Sequence, residues 1–275
     1  MTEETLQVLV VGAHPDDPDL KAGGIACKYT DRGHDVTFVA VADGAAGHHE
    51  QAGATLVRRR KVEMRAAAEV AGVGTRFLDV PDGEVRPTID IREKVIRLIR
   101  ECEPDLLLTH RPNDYHPDHR YTARLVQDAA YLVTVPNVCP GTPALDEDPV
   151  IAHVYDPFER PRPFDPDVVV GVDDVVERKF DTLDCHESQM YEWLPYDAGV
   201  LEEVPEDPGE RRAWLRSGGL PHVEEGREIA DRYRDALLDR YGPAGEDIAR
   251  AEAFEASEYG SPLTGEARER LFPFP

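Results

Sequence analysis

Short apolar runs alternate with helical stretches along the first half of the chain. The first run, residues 6–12, is nearly continuous in apolar residues, which is typical of a strand buried on both faces of a sheet. The predicted strands are 6–12, 35–42, 75–80 and 105–109. The predicted helices are 23–32, 55–70, 89–102 and 121–132. Because strands and helices alternate through short connections, the pattern favours a parallel sheet covered by helices on both faces.

The pattern becomes proline-rich and irregular after about residue 135. The elements predicted there are strands near 150–155 and 168–172, a helix over 173–191, a solvated acidic loop over 202–210, a charged helix near 224–241 and a mixed tail. We therefore expect an α/β fold with a Rossmann-like, mostly parallel sheet and an elaborated C-terminal third. Because no clear linker interrupts the chain, we expect one domain over 1–275, with a core of about 6–190 and an extension over about 191–275.

The charge of the chain argues against several kinds of partner. The 275 residues include 31 basic and 55 acidic side chains, which give a net charge of −24. Sequence-independent binding to nucleic acid or to an anionic membrane needs clustered cations, so we expect neither partner. No apolar run approaches the roughly 18 residues of a spanning helix, and the acidic start, residues 1–4, is not typical of a signal peptide. We therefore expect a cytoplasmic protein without membrane insertion.

The lysine and cysteine content indicates the kind of cytoplasm and the kinds of cysteine site to expect. Only five of the 31 basic residues are lysine. A strongly acidic, lysine-poor surface suits a salt-rich cytoplasm, in which ions screen the repulsion between carboxylates. The four cysteines form no C-x-x-C pair, which indicates neither a thiolate zinc site nor a redox motif.

Polar clusters follow three of the predicted strands. Residues 13–17 follow the first strand, Asp43-Gly44 and then His48-His49 follow the second, and residues 110–119 follow the fourth. Ligands of open parallel sheets bind outside the carboxyl ends of the strands. The three clusters are therefore expected to meet at one edge of the sheet.

Histidine and carboxylate side chains in these clusters predict a catalytic metal site. Such a site uses three protein ligands and keeps one position for water. His14 and Asp17 are three residues apart at a strand-to-helix turn, and His119 lies on the loop after the fourth strand. Asp16 is then free to act as a base toward water, and His116 as an acid or an oxyanion donor. We expect Zn²⁺, although Fe²⁺ or Co²⁺ suits the same donor set.

Two motifs carry a resemblance to a known family. His-Pro-Asp-Asp at 14–17 together with His-Pro-Asp-His at 116–119 resembles the PIG-L/LmbE family of zinc-dependent N-deacetylases. Similar residues occur over about residues 6–256, so the resemblance covers nearly the whole chain. It implies an LmbE-like fold and the removal of acetyl groups from N-acetylglucosamine units.

The resemblance also implies roles for individual residues. His14, Asp17 and His119 would bind the zinc ion, Asp16 would be the general base, and His116 would be the acid or oxyanion stabiliser. Candidates for contact with the substrate are Arg60, Asp82, Asp114 and Tyr115. Tyr115 either closes over the substrate or simply packs. The roles of His48, His49 and His186 stay open, with packing favoured for His186.

One residue departs from the family pattern. Pro18 stands directly after the second Asp, where the family usually has Glu or Ser. Proline is tolerated at a helix start, so we expect the metal site to survive the replacement. A hydrogen bond that supports the site is expected to be missing.

The sequence leaves three interpretations open. The leading one is a zinc-dependent deacetylase or amidase of linear amides that acts on a small N-acylated amino sugar or its conjugate. The second is an amidase on a thiol-glucoside conjugate, and the third is a catalytically inactive sugar-binding α/β protein. Nucleotide binding is disfavoured, because acids rather than a G-x-G-x-x-G motif follow the first strand. We also expect a homo-oligomer, whose size the sequence does not give.

Overall fold

The structure, a computed structural model, describes residues 5–274, apart from the side chains of residues 221 and 222. The acidic start that argues against a signal peptide, residues 1–4, lies outside the described residues. The described strands are β1 (Gln7–Gly12), β2 (Asp35–Ala42), β3 (Gly74–Val80), β4 (Leu106–Thr109), β5 (Val150–Val154), β6 (Val168–Gly171) and β7 (Ala251–Gly260). The α-helices are α1 (Asp17–Asp31), α2 (Gly53–Ala71), α3 (Ile89–Cys102), α4 (Pro117–Ala130), α5 (Val176–Asp184), α6 (Leu194–Ala198), α7 (Pro208–Arg216), α8 (Pro221–Arg232), α9 (Arg234–Tyr241) and α10 (Gly265–Leu271).

These strands form one mixed sheet with the order β3-β2-β1-β4-β5-β7-β6. Strands β1 to β5 are parallel to one another, whereas β7 is antiparallel to both β5 and β6. The strand order reverses between β1 and β4, because β2 lies on one side of β1 and β4 on the other. Ligand sites of open α/β sheets lie at such a reversal. The two His-Pro-Asp motifs follow these two strands.

Helices cover both faces of the sheet. Val8 and Val10 of β1 pack with Ile25 of α1 and Met64 of α2 in one core cluster. The alternate residues of the same strand, Leu9 and Val11, belong to a second cluster that includes residues of α3 and α4. Strand side chains point alternately to opposite faces, so the two clusters lie on opposite sides of the sheet. The predicted fold class is confirmed.

Two helices begin earlier than the sequence pattern predicted. Helix α1 begins at Asp17 rather than at Gly23, and α4 begins at Pro117 rather than at Tyr121. Each has proline in its first turn, where the missing N–H costs no hydrogen bond. The placement of His119 on a loop is therefore wrong, because His119 lies in the first turn of α4.

The C-terminal third is also more ordered than predicted. The helix expected over 173–191 ends at Asp184 and is followed by a π-helix over Ser188–Trp193. The segment 202–210 is not wholly a loop, since a 3₁₀ turn precedes α7 there. The tail contains β7, the longest described strand. None of the helices described between residues 5 and 274 combines the length and the apolar character that a membrane crossing needs.

Candidate metal centre and active-site cavity

A tight turn after β1 brings the first predicted ligands together. A β-carbon at Gly12 would lie 2.7 Å from Pro18 Cδ and 2.8 Å from Asp17 Cβ, so only glycine allows α1 to start this close to the strand. The His14 backbone N–H donates to Asp17 Oδ2 at 2.7 Å. The turn therefore places His14 and Asp17 side by side and fixes the Asp17 carboxylate.

The three predicted ligands converge on one point. His14 Nδ1 lies 3.4 Å from Asp17 Oδ2 and 3.2 Å from His119 Nε2, and His119 Nε2 lies 3.5 Å from Asp17 Oδ2. Ligands at roughly 2.0–2.2 Å from a tetrahedral zinc ion lie roughly 3.3–3.6 Å from one another. The spacing of this triangle and its two-nitrogen, one-carboxylate donor set therefore fit a divalent cation such as Zn²⁺.

Neighbouring residues also come close enough to hold a cation. The described groups with metal-ligand spacing are His14, His116 and His119; Asp17, His110 and His119; and His14, Asp82 and Asp118. Each of these groups shares His14 or His119 with the predicted triangle. We favour the triangle, because it uses the ring nitrogens of His14 and His119 that face each other and leaves their other nitrogens to carboxylates.

Carboxylates face the remaining nitrogen of each predicted histidine ligand. His14 Nε2 lies 3.4 Å from Asp82 Oδ1 and 3.6 Å from Asp118 Oδ2, and His119 Nδ1 lies 3.0 Å from Asp114 Oδ2. Metal-binding histidines commonly donate their other ring N–H to a carboxylate, which fixes the ring and makes it a stronger ligand. This arrangement is a further reason to read the triangle as a metal site.

Neighbouring charges and hydrogen bonds favour the charged forms of His14 and Asp17. Burial lowers the pKa of His14, but the hydrogen bonds to Asp118 and Asp17 raise this pKa well above its ordinary value. Burial raises the pKa of Asp17, whereas the nearby His119 and His110 bring this pKa well below its ordinary value. A divalent cation would take the place of the proton on the histidine, so metal binding is expected to release protons.

Asp16, the predicted base, is paired with Arg60. Arg60 Nη2 donates to Asp16 Oδ1 at 2.5 Å, and both residues are buried. A β-carbon at Gly44 or Gly47 would come within 2.7 Å of Arg60 Nη1, so these glycines make room for the guanidinium group. Arg60 therefore orients Asp16, and the predicted contact of Arg60 with a sugar hydroxyl stays a prediction.

His116 has a fixed orientation at the start of α4. Its Nδ1 accepts a hydrogen bond from the Asp118 backbone N–H at 3.2 Å. Burial and the charges of His14 and His119 lower the pKa of His116. The neutral ring then carries its proton on Nε2, which makes that nitrogen a hydrogen-bond donor.

His110 and Asp118 support the centre, although sequence reasoning gave neither of them a role. His110 Nε2 lies 3.0 Å from the Ala13 backbone nitrogen and 3.2 Å from Asp17 Oδ2, and its ring stacks on His119. Asp118 accepts hydrogen bonds from the backbone of the turn after β3, at Gly83 and Val85. The only available signal was their position inside the polar run after β4.

The centre lies at the wall of a cavity of about 410 Å³. Its lining residues come from the loops after β1, β2, β3 and β4 and from the C-terminal third. They are His14, Asp16, Asp17, Leu20, Lys21, Ala46, Gly47, Arg60, Asp82, Gly83, Asp114, Tyr115, His116, His119, Asp156, Pro157, Phe158, Gln189, Trp193, Leu194 and Glu225. All nine residues in the predicted site are therefore among those that line one cavity.

The predicted substrate contacts occupy different positions in this cavity. Asp114 is buried and Asp82 is half-buried, each against one of the two histidine ligands, and the Ala46 N–H donates to Asp82 Oδ2 at 2.9 Å. Tyr115 is 68% exposed and lies near Phe158 at the rim. Direct contact of these residues with a substrate stays a prediction.

The histidines whose roles were open lie outside this cavity's lining. His48 Nε2 lies 2.6 Å from Glu192 Oε2, and the His49 ring stacks between His48 and Tyr196. His186 Nε2 lies 2.9 Å from Asp19 Oδ2 at the start of α1. His186 therefore packs α1 against the segment that follows α5.

The sequence of the chain is similar to those of known proteins. The family model PIG-L, described as GlcNAc-PI de-N-acetylase, matches residues 9–130. A diacetylchitobiose deacetylase from Thermococcus kodakarensis is 32% identical over 201 residues, which cover 69% of this chain and 74% of that protein. A 4-oxalmesaconate hydratase from Pseudomonas putida is 27% identical over 206 residues, which cover 70% of this chain and 78% of that protein.

A solved structure shows the same fold over most of both chains. It is the N,N′-diacetylchitobiose deacetylase from Pyrococcus horikoshii, which matches with a TM-score of 0.68 and 24% identity. The match covers 91% of this chain and 83% of that one. This match shows the fold, and the Thermococcus relative, which is 32% identical with 74% of its length covered, shows the family. The chain belongs to the PIG-L family.

Proposed function

We propose that the chain is a metal-dependent hydrolase of linear amides that removes the acetyl group from an N-acetylglucosamine-type sugar or its conjugate. The observation that carries this proposal is the triangle of His14 Nδ1, Asp17 Oδ2 and His119 Nε2 within one cavity. Asp16 and His116 line the same cavity beside it. A diacetylchitobiose deacetylase among the relatives supports the choice of substrate class.

The residues of the site have separate roles in amide hydrolysis. His14, Asp17 and His119 would hold a divalent cation, which would supply Lewis-acid polarisation of an amide carbonyl and lower the pKa of water. Asp16 accepts the proton of the attacking water, with its orientation set by Arg60. His116 donates from Nε2 to the oxygen on which negative charge develops, because its Nδ1 is held by the Asp118 N–H. The proton taken up by Asp16 passes to the amine nitrogen as the C–N bond breaks, and the products are acetate and a free amino sugar.

An amidase acting on a thiol-glucoside conjugate would use the same residues. A mycothiol S-conjugate amidase from Streptomyces coelicolor is 28% identical over 155 residues, which cover 53% of that protein. The two activities differ in the acyl group that leaves the same amide nitrogen. Acetate release from N-acetyl sugars, measured beside cleavage of a thiol conjugate, separates them.

A hydratase is the candidate from a different class. The Pseudomonas hydratase is a relative whose substrate name denotes a carboxylate. Apart from the histidines of the metal centre, six carboxylates but only two cationic side chains, Lys21 and Arg60, line the cavity here. A divalent cation offsets only part of this negative charge, so the cavity disfavours an anionic substrate and suits a neutral amide whose product is an ammonium ion. The charge of the cavity therefore favours the deacetylase.

The decisive experiment combines metal content with product analysis. Protein purified without a chelator or a histidine tag is analysed for metal and incubated with N-acetyl sugars, and released acetate is measured. About one zinc or iron per chain together with acetate release supports the proposal. Metal without acetate release, combined with water addition to the unsaturated tricarboxylate 4-oxalmesaconate, would replace the deacetylase with the hydratase.

An inactive sugar-binding protein is tested by Asp16→Ala. If this variant keeps its metal and loses turnover, the chain is a catalyst. If its function is unchanged, the site serves binding alone. The cytoplasmic location, the salt-rich host and the homo-oligomer also belong to this proposal and follow only from the sequence.

A further inference from the structure

Asp156 is a buried carboxylate on the wall of the cavity, and one of its oxygens has no partner. It lies two residues after the end of β5 and is 4% exposed. Its Oδ1 accepts hydrogen bonds from Phe158 N at 2.9 Å and from Arg111 Nη1 at 3.0 Å. Its Oδ2 is buried and has no hydrogen-bond partner among the described residues. Buried polar atoms in proteins are nearly always paired, so this oxygen calls for a donor that is not part of the chain.

Lys21 lines the same cavity, and its ammonium group has one N–H donor more than its two hydrogen bonds use. It follows the ligand Asp17 by one helical turn, so both side chains lie on the same face of α1. Its Nζ donates to Glu225 Oε1 at 2.5 Å and to the Tyr155 carbonyl at 3.2 Å. An ammonium group has three donors, and these two bonds leave the third available.

The surroundings of this pair connect it to the metal centre. Asp114, the partner of His119, and Lys21 both act electrostatically on Asp156. Burial is the main reason that the pKa of Asp156 is raised, and the Arg111 charge opposes it. Asp156 and Lys21 line the same cavity as the metal-binding triangle, so one bound molecule can contact both regions.

We propose that Asp156 and Lys21 form a hydroxyl-recognition subsite for the part of the substrate that carries the amide nitrogen. Asp156 Oδ2 accepts a hydrogen bond from one hydroxyl, and Lys21 donates to the oxygen of a neighbouring one. A pair of acceptor and donor matches the adjacent hydroxyls of a sugar ring. A cavity of about 410 Å³ exceeds what an acetyl group needs and lies within the range of roughly 300–1,000 Å³ for small-molecule sites.

The subsite selects against carboxylate-bearing substrates. A substrate carboxylate in this position would face both Asp156 and Glu225 and would leave Asp156 Oδ2 unpaired. Specificity of this kind comes from the unfavourable arrangement as well as from the favourable one. The chain therefore prefers a neutral second sugar or polyol on the amine side. This inference rests on the proposed function for the identity of the amide.

The test measures sugar binding rather than turnover. In Asp156→Asn the side-chain oxygen still serves Phe158 and Arg111, and an NH₂ group replaces Oδ2. The deacetylated disaccharide chitobiose is titrated calorimetrically into the metal-loaded wild type and variant. We expect the variant to bind about 10- to 100-fold more weakly, the range for a lost hydrogen bond to a charged group.

Glu255→Gln is the matched control. Glu255 is also buried beside Arg111, with Oε1 3.9 Å from Arg111 Nε, but it does not line the cavity. Its change should leave chitobiose binding as in the wild type. Equal binding by Asp156→Asn and the wild type, equal weakening in both variants, or no chitobiose binding by the wild type would each overturn the proposal.

A second variant covers the case in which Asp156→Asn does not fold. Lys21→Met should weaken chitobiose binding at least threefold, and an unchanged dissociation constant would overturn the proposal. Acetate release from N,N′-diacetylchitobiose by the wild type is measured separately. Absence of acetate release with an intact effect of Asp156→Asn on binding would reject the proposed function and keep the subsite. Acetate release without an effect of Asp156→Asn on binding would keep the proposed function and reject the subsite.

Discussion

The two sides of the cavity come from differently organised parts of the chain. The metal side comes from the loops after β1 and β4, where the sheet order reverses, and its side chains are held by short hydrogen bonds to backbone and carboxylates. The opposite side includes Trp193 and Leu194 near the π-helix and Glu225 on α8, all beyond residue 190.

This difference separates the chemistry from the choice of substrate. Parallel strands place His14 and His119 together through the topology alone, although 104 residues stand between them in the sequence. Trp193 and Glu225 reach the cavity only through the packing of the C-terminal third. Changes on the first side should therefore abolish metal binding or turnover, and changes on the second should alter affinity for the substrate.

The largest effect is expected for His119→Ala. Removing one of three ligands should remove the metal and lower deacetylase activity on the order of 10³-fold or more. Metal analysis and acetate release check this. His34→Gln is the control, because His34 accepts a hydrogen bond from Leu6 N and does not line the cavity. A full complement of metal in His119→Ala would show that the triangle is not the metal site.

Asp16→Asn should keep its metal and lose most of its turnover. A general base contributes roughly 10²- to 10⁴-fold, and the amide cannot accept the proton. The measurement is kcat for acetate release at equal metal content. Turnover close to that of the wild type would exclude Asp16 as the base.

Asp114→Asn should weaken the metal centre without destroying it. Its carboxylate lies 3.0 Å from His119 Nδ1, and the loss of such a partner typically costs roughly 10- to 100-fold in metal affinity or activity. Competition with a chelator measures the metal affinity. Asp128→Asn on α4 is the control, since Asp128 pairs with Arg124 and does not line the cavity. Equal metal affinity in the two variants would contradict the role of Asp114.

Trp193→Ala should affect the substrate and not the metal. Trp193 lines the cavity on the C-terminal side, and an aromatic contact contributes about 0.5–1.5 kcal/mol beyond its buried area. We expect KM for an N-acetyl sugar to rise about two- to tenfold at unchanged metal content. A loss of metal in this variant would break the separation of the two sides.

Salt concentration should affect the stability of the whole protein and therefore both sides of the cavity. A net charge of −24 on 275 residues means strong repulsion in dilute buffer. We expect the melting temperature to fall as salt is lowered below roughly 1 M, because screening weakens. Thermal unfolding at several salt concentrations measures this, and full stability in dilute buffer would reject adaptation to salt.

The core of the fold and the site could be predicted because their signals are local. The strand over 35–42 and the helix over 89–102 have the predicted bounds, since each is a periodic run with clear ends. The starts of α1 and α4 could not be predicted in this way. Their first turns contain His, Pro and Asp, whose polar character resembles a loop until the helix caps are seen.

Other features depend on contacts between distant segments. Strand β7 contains buried Glu252 and Glu255, which are paired with Lys179 and Arg162, so its pattern did not indicate a strand. The same applies to Asp156, which gained no role from the sequence because its cavity position depends on packing beyond β5. Such pairings are set by tertiary structure and leave no periodic signal.

The most direct test of the account is the position of the metal. Anomalous diffraction from crystals of the metal-loaded protein, recorded at the absorption edge of the bound metal, locates the ion independently of its ligands. We predict one peak at about 2.0–2.2 Å from His14 Nδ1, Asp17 Oδ2 and His119 Nε2. A peak between His14 Nε2, Asp82 and Asp118 instead, or no peak in a metal-saturated crystal, would contradict it.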